Sequence, residues 1–299
     1  MGASGPGDPA YYGAMKRRAL LSSALSALTA ACTPSLGAFN ALAPRDREGR
    51  RVARDIAFGP EARQRLDVYA PEGAGPKPVI VFIYGGSWAS GNKDDYAFAG
   101  AALASRGFVT VIPDYRLVPG VRFPAFIEDC AAAVRWAADH VAEFGGDASR
   151  IVLVGHSAGA YNAMMLALDA RYLRDAGVDA ARVRGVAGLA GPYDFLPFDV
   201  DATRNAFGQA PDAALTQPVH FARGDAPPAL LLWGDADTTV GPRNIRGLEA
   251  ALRAAGAPVE TKIYPGVNHV DIMLALSRPL RGRAPTLDDV TAFAERVTA

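Results

Sequence analysis

The stretch Ile151-Val152-Leu153-Val154-Gly155-His156-Ser157-Ala158-Gly159-Ala160 constrains this chain more than any other. Four apolar, mostly β-branched residues predict a buried parallel strand. A Gly-x-Ser-x-Gly turn follows, and residues 161–169 continue in helix formers such as Ala, Met and Leu. Strand, sharp turn and helix together predict a nucleophile elbow, in which strained backbone lifts the Ser157 hydroxyl above the sheet. Gly155 and Gly159 are required because a β-carbon at either place would clash where strand and helix nearly touch.

The rest of the chain alternates in the same way. Residues 52–58 and 64–69 predict an antiparallel pair turned by Gly59-Pro60. An apolar strand over 79–83 runs into Tyr84-Gly85-Gly86-Ser87-Trp88, followed by a helix over 94–105 and a strand over 108–113. A long amphipathic helix over 124–143 ends at Gly145-Gly146, just before the elbow strand. Beyond the elbow come strands over 183–189, 229–233 and 259–264, a helix over 242–254, and a last helix beginning at a Thr286 cap. This alternation implies an α/β fold, a mostly parallel central sheet with helices on both faces. Residues 195–226 lack a period and carry Pro197, Pro211 and Pro218, so they read as a small lid-like insertion after the sixth strand. Lys93 and Asp94 read as an ordinary solvated pair.

Composition narrows the partners. Among 299 residues, 31 basic side chains balance 31 acidic ones. No basic face is left over to neutralise phosphates, which argues against a nucleic-acid partner. Four histidines and two cysteines, Cys32 and Cys130, lack ligand spacing, so neither a zinc site nor a disulfide framework is expected. Cys130 is expected as a buried thiol.

The N-terminus looks like targeting sequence. Residues 1–14, rich in Gly, Pro and Ala, read as an upstream extension foreign to the fold. Met15-Lys16-Arg17-Arg18 and the apolar run 19–31 have the form of a secretory n-region and h-region, too short to span a bilayer. Leu28-Thr29-Ala30-Ala31-Cys32 resembles a bacterial lipobox with Cys32 as the lipidated residue, although Thr29 departs from the usual larger aliphatic. Arg17-Arg18 also permits a twin-arginine signal. Export is therefore expected, to the periplasm or to a lipid anchor at the bacterial envelope, with a membrane tether through Cys32. The competing expectation is an ordinary N-terminal helix on a cytoplasmic protein. Residues 33–50 read as a tether and 51–299 as the catalytic domain.

A serine hydroxyl is a poor nucleophile until a base takes its proton, and the base needs an acid to hold its tautomer. Ser157 should therefore be followed by an acid and then a histidine, each in a loop after a strand. His269 follows a strand and a glycine near the C-terminus. His140 falls within a helix, His220 has no strand before it, and His156 should point away from the nucleophile's face. Asp237, Asp235 and Asp194 all lie just beyond strands. Asp237 is preferred by loop position and order, with Asp235 open as a loop cap and Asp194 as an alternative acid. An oxyanion hole needs two backbone N–H groups. Ala158 should supply one, and the Gly85-Gly86-Ser87 turn the other.

Taken together, Gly-Gly-Ser-Trp after Val-Phe-Ile-Tyr, Asp114-Tyr115-Arg116-Leu117, Gly-His-Ser157-Ala-Gly-Ala, Gly-Asp-Ala-Asp237 and the late His269 resemble the α/β-hydrolase superfamily. The closer likeness is to hormone-sensitive-lipase-like, feruloyl-esterase-like and kynurenine-formamidase-like carboxylesterases, over roughly residues 50–299. The resemblance implies a triad of Ser157, Asp237 and His269, an oxyanion loop at residues 85–87, and Tyr115 and Arg116 as its scaffold. It implies a serine carboxylesterase acting on small esters without metal or cofactor. An arylformamidase or amidase with the same triad, and a catalytically silent binding module, are the alternatives. Tyr84 stands where the family usually has His, so its hydroxyl is expected either to brace the loop or to bind substrate. Trp88 is expected as loop packing or as a substrate contact.

Overall fold

The computed structural model describes residues 35–73 and 75–299. The expectations for residues 1–32, Cys32 included, lie outside the described residues. The chain divides after Ala41, and of the first unit residues 35–41 are described. They carry most of a helix, Leu36–Leu42 (α1). The stretch read as a tether thus holds a helix and the start of the first strand. Its Leu-Gly-Ala-Phe-Asn-Ala-Leu run is too short to show a period, but it is largely made of helix formers.

In the second unit, Leu42–Ala299, eight strands among the described residues make one sheet. They are β1 (Gly49–Ala57), β2 (Arg65–Pro71), β3 (Lys77–Ile83), β4 (Val109–Pro113), β5 (Gly146–His156), β6 (Val183–Leu189), β7 (Ala229–Gly234) and β8 (Val259–Tyr264). Their spatial order is β1-β2-β4-β3-β5-β6-β7-β8. β2 pairs antiparallel with β1 and with β4, and every other neighbouring pair is parallel. The helices are α2 (Ala97–Ser105), α3 (Ala125–His140), α4 (Ala158–Leu168), α5 (Ala170–Asp175), α6 (Asp201–Phe207), α7 (Arg243–Ala254), α8 (Asp271–Leu274) and α9 (Thr286–Thr298). The expected mostly parallel α/β sheet is present. The two shortest helices of this unit, α5 and α8, have too few residues to show a helical period in the sequence.

Topology places the site. From β3 the chain moves to β4 on one side, and from β5 it moves to β6 on the other. Right-handed crossovers then send the loops after β3 and β5 to opposite faces of the sheet. A crevice opens where two adjacent strands part in this way, beyond their carboxyl ends. Ser157 and the 85–88 turn stand on its two sides.

The core explains the elements. Residues 79–83 and 151–154 are wholly buried, as their unbroken apolar runs require. α4 is buried along its full length, because Ala-Gly-Ala-Tyr-Asn-Ala-Met-Met-Leu-Ala-Leu offers no charged face. The final helix starts one residue off expectation, with Thr286 its first helical residue and Pro285 at the cap position.

One expectation is corrected here. Lys93 is not solvated: it is buried, with Nζ 2.9 Å from the fully buried Asp67 and 2.5 Å from Asp55. Those partners come from the β1–β2 hairpin, a pairing invisible along the chain. The small lid-like insertion over 195–226 has structure of its own. It contains α6, and its Phe195 and Phe207 pack among Trp88 and Tyr161, with ring centroids between 4.7 and 6.3 Å.

The glycines of the elbow are held to glycine by distance. A β-carbon on Gly159 would stand 2.0 Å from the Ile83 carbonyl oxygen, and one on Gly155 would stand 2.3 Å from the Gly159 carbonyl oxygen. Gly159→Ala is expected to destabilise the fold by about 3 kcal/mol or more, as overpacking against backbone does. Gly282→Ala, with open space around it, should change stability little. Urea unfolding of the two variants checks the contrast.

Candidate active site

Ser157 follows β5 in strained backbone, φ 54° and ψ −122°, and its N–H donates to the Leu189 carbonyl at 2.8 Å. Such a conformation costs about 1–3 kcal/mol and persists only when its surroundings enforce it. The turn aims Oγ at His269, whose Nε2 is 2.9 Å away. His269 Nδ1 in turn lies 2.7 Å from Asp237 Oδ2. A carboxylate only accepts, so the proton sits on Nδ1 and Nε2 is free to accept from the serine hydroxyl. Loops after β5, β7 and β8 supply the three side chains.

Asp237 is held as an anion. Its side chain is buried, which works to raise its pKa. The His269 ring and the Val240 and Thr239 N–H groups, 2.9 and 2.8 Å from Oδ1, more than offset this and leave it below the usual carboxylate range. The other two aspartates have different partners. Asp235 accepts from the Gly266 N–H at 2.6 Å and caps that loop. Asp194 makes a two-pronged pair with Arg243 at 2.7 and 2.9 Å. Among the histidines, His140 pairs with Glu143 on the surface, and His220 lines a shallow surface groove with Arg171 and Phe221. His156 is buried behind the nucleophile.

Across the crevice, Gly86, Ser87 and Trp88 have φ of 132°, 54° and 58°. A β-carbon on Gly86 would meet the Ser90 carbonyl at 2.2 Å, and one on Gly85 would come within 2.9 Å of the Ser157 β-carbon. Ser87, Ser157 and Ala158 line one cavity of about 340 Å³. Ala158 is the first residue of α4, where N–H groups have no partner inside the helix. N–H groups from the turn and from Ala158 can therefore converge on an oxygen bonded next to Ser157 Oγ.

Tyr84 does not reach that cavity, which corrects its expected place as a substrate contact. It is fully buried behind the turn and stacked between Tyr96 and Tyr115. Its hydroxyl donates to Asp114 Oδ1 at 2.7 Å and accepts from Arg63 Nη2 at 2.8 Å. Arg63 also donates to the Gly91 and Tyr115 carbonyls, both at 2.8 Å, and the Tyr115 hydroxyl donates to the Tyr84 carbonyl at 2.9 Å. Tyr115 thus braces the turn as expected, but Arg116 turns instead to Asp129 on α3. Trp88 lines the cavity, and its indole N–H donates to Asn162 Oδ1 on α4 at 3.2 Å. Arg63 and Asn162 escaped the sequence reading because neither belongs to a motif. Cys130 is buried and free.

A family model described as BD-FAE matches residues 66–252, more than half of the chain. The chain belongs to the BD-FAE family. The matched span holds Ser157 and Asp237 and stops short of His269. Among relatives of this BD-FAE chain, isoprenylcysteine alpha-carbonyl methylesterase ICME of Arabidopsis thaliana is 30% identical over 267 residues, covering 81% of this chain and 62% of the relative. Esterase LipC of Mycobacterium tuberculosis is 28% identical over 272 residues, covering 82% and 65%. The chain thus spans somewhat under two thirds of these relatives. Esterase B from Lactobacillus rhamnosis superposes with a TM-score of 0.76 at 22% identity, covering 97% of this chain and 96% of that one. The carboxylesterase EstE1, cloned from a metagenomic library, gives 0.73 at 22%, covering 88% and 93%. The fold is that of the α/β-hydrolases.

Tyr84→Phe removes the hydroxyl that bridges Asp114 and Arg63 behind the turn, leaving Arg63 on the Gly91 and Tyr115 carbonyls and Asp114 on the Lys93 N–H. The variant is expected to lose about 1 kcal/mol of stability for each of the two hydrogen bonds removed, the usual net worth of such a bond. Urea unfolding of wild type and variant measures it.

Proposed function

We propose that this BD-FAE member is a serine carboxylesterase that cleaves small neutral esters through an acyl-enzyme. The observation that carries the proposal is the unbroken relay from Asp237 through His269 to Ser157, at 2.7 and 2.9 Å. His269 takes the Ser157 proton as Oγ attacks the ester carbonyl. The tetrahedral oxyanion is stabilised by N–H groups of Ala158 and of the 86–87 turn. Asp237, kept ionised, steadies the imidazolium that forms. His269 then protonates the leaving alcohol, and a water repeats the sequence on the acyl-enzyme.

The substrate class follows from the cavity. At about 340 Å³ it is at the small end of ligand sites. Trp88, Phe195, Leu196, Val200 and Val240 line it, which suits a short apolar acyl or alcohol group. The insertion is stapled to the body by aromatic packing, so it serves as a fixed wall. Relatives bearing esterase and methylesterase names favour ester over amide chemistry for this chain.

The N-terminal signal pattern supports export, with Cys32 as the site of a lipid tether at the envelope. Membrane fractionation of wild type and Cys32→Ala tests this; equal partition of the two would remove the tether.

Three outcomes are expected of the purified protein. A fluorophosphonate should label Ser157, and Ser157→Ala or His269→Ala should abolish labelling and lower kcat by about 10⁴-fold or more. Across p-nitrophenyl esters, kcat/KM should fall at least about tenfold from butyrate to laurate as the acyl chain outgrows the cavity. p-Nitrophenyl acetate should be turned over faster than N-formylkynurenine; the reverse order would make the protein an arylformamidase.

A further inference from the structure

One buried titratable side chain beside the proposed relay has no part in it. His156, the residue before the nucleophile, has its Nε2 2.9 Å from the main-chain carbonyl oxygen of His269. A carbonyl only accepts, so Nε2 carries the proton. Burial, and then the nearby His269 ring, push the His156 imidazole down to about 3, so the ring is neutral and Nδ1 is bare. Nδ1 has no hydrogen-bond partner. It faces the oxyanion turn so closely that a β-carbon on Gly85 would come within 3.1 Å of it. The ring centroids of His156 and His269 are 4.9 Å apart.

His156 therefore touches all three working parts. It is covalently next to Ser157, it abuts the turn at Gly85, and it holds the backbone of the base. The flanks of His269 are secured separately. The Val267 carbonyl accepts from Ala236 N–H, and Asn268 Oδ1 accepts from the Val270 and Asp271 N–H groups. The carbonyl of His269 itself is held by His156. An apolar side chain would fill this buried space without leaving a nitrogen unpaired, and buried polar atoms without partners call for an explanation. A neutral imidazole also adds no like charge beside the imidazolium that His269 becomes.

We propose that His156 is a positioning residue for the base: its Nε2–H fixes the His269 main chain and so sets the reach of the His269 ring to Ser157. The proposal rests on the serine-esterase assignment above. Its test uses the intact chain, with His156→Met and His156→Gln, which have nearly equal volume but differ in having a donor. Fluorophosphonate labelling rate, and kcat and KM on p-nitrophenyl butyrate, are measured beside thermal melting. His156→Met is expected to lower kcat and the labelling rate together by about tenfold, with KM within about twofold of wild type. His156→Gln should recover most of that loss. If the Met variant labels at the wild-type rate, or if the Gln variant is as slow as the Met variant, the role is refuted. Should the Met variant not fold, His156→Phe against His156→Gln makes the same comparison. Wild-type protein that fails to label at Ser157 would instead overturn the esterase assignment itself.

Discussion

The crowded contact between β3, β5 and the start of α4 is the constraint on which the rest of this molecule depends. Main chain meets main chain there with no room for a side chain, since a β-carbon at Gly159 would sit 2.0 Å from the Ile83 carbonyl oxygen. That closeness brings the first N–H of α4 beside the turn that follows β3. It also forces Ser157 into a conformation that a relaxed chain avoids, with φ at 54°. The wholly buried segments 79–83 of β3 and 151–154 of β5 hold the strain in place.

Everything around the contact serves to keep it rigid. Arg63 and Asp114 grip the Tyr84 hydroxyl behind the turn, and Tyr115 grips its carbonyl. On the cavity side, Trp88 is tied to Asn162 of the elbow helix, so the two sides of the proposed oxyanion hole are linked by a buried hydrogen bond. Rigidity matters because oriented N–H dipoles stabilise a developing charge only when they need not reorganise to do so. The acid behind the base follows the same logic. Two backbone N–H groups and an imidazole keep Asp237 charged despite its burial.

Sequence and structure agree where chemistry is encoded locally. The elbow and its two glycines were legible because their spacing has one steric solution. His269 was legible because it alone of the histidines follows a strand and a glycine late in the chain. The acid was harder: Asp194, Asp235 and Asp237 all follow strands, and their separation depends on which loop curls toward the imidazole. Tyr84 was left open for a related reason. Its hydroxyl was a candidate for either face of the turn, and only the positions of Arg63, in the β1–β2 connection, and of Asp114 decide that it points inward. Lys93 looked solvated because Asp55 and Asp67, its partners, come from strands that pair nearby only after folding.

By itself the sequence determined the order of strands and helices, the place of the strained serine, and which histidine lies against it. These depend on periodicity and on contacts within a few residues, which any local stretch of chain carries with it. Only the tertiary structure decided the strand order that opens a crevice between β3 and β5, the choice of Asp237 over its neighbours, and the inward braces at Arg63, Asn162 and His156. Those are contacts between residues far apart in the chain, set by which surfaces the sheet brings together, and no local pattern of residue types records them.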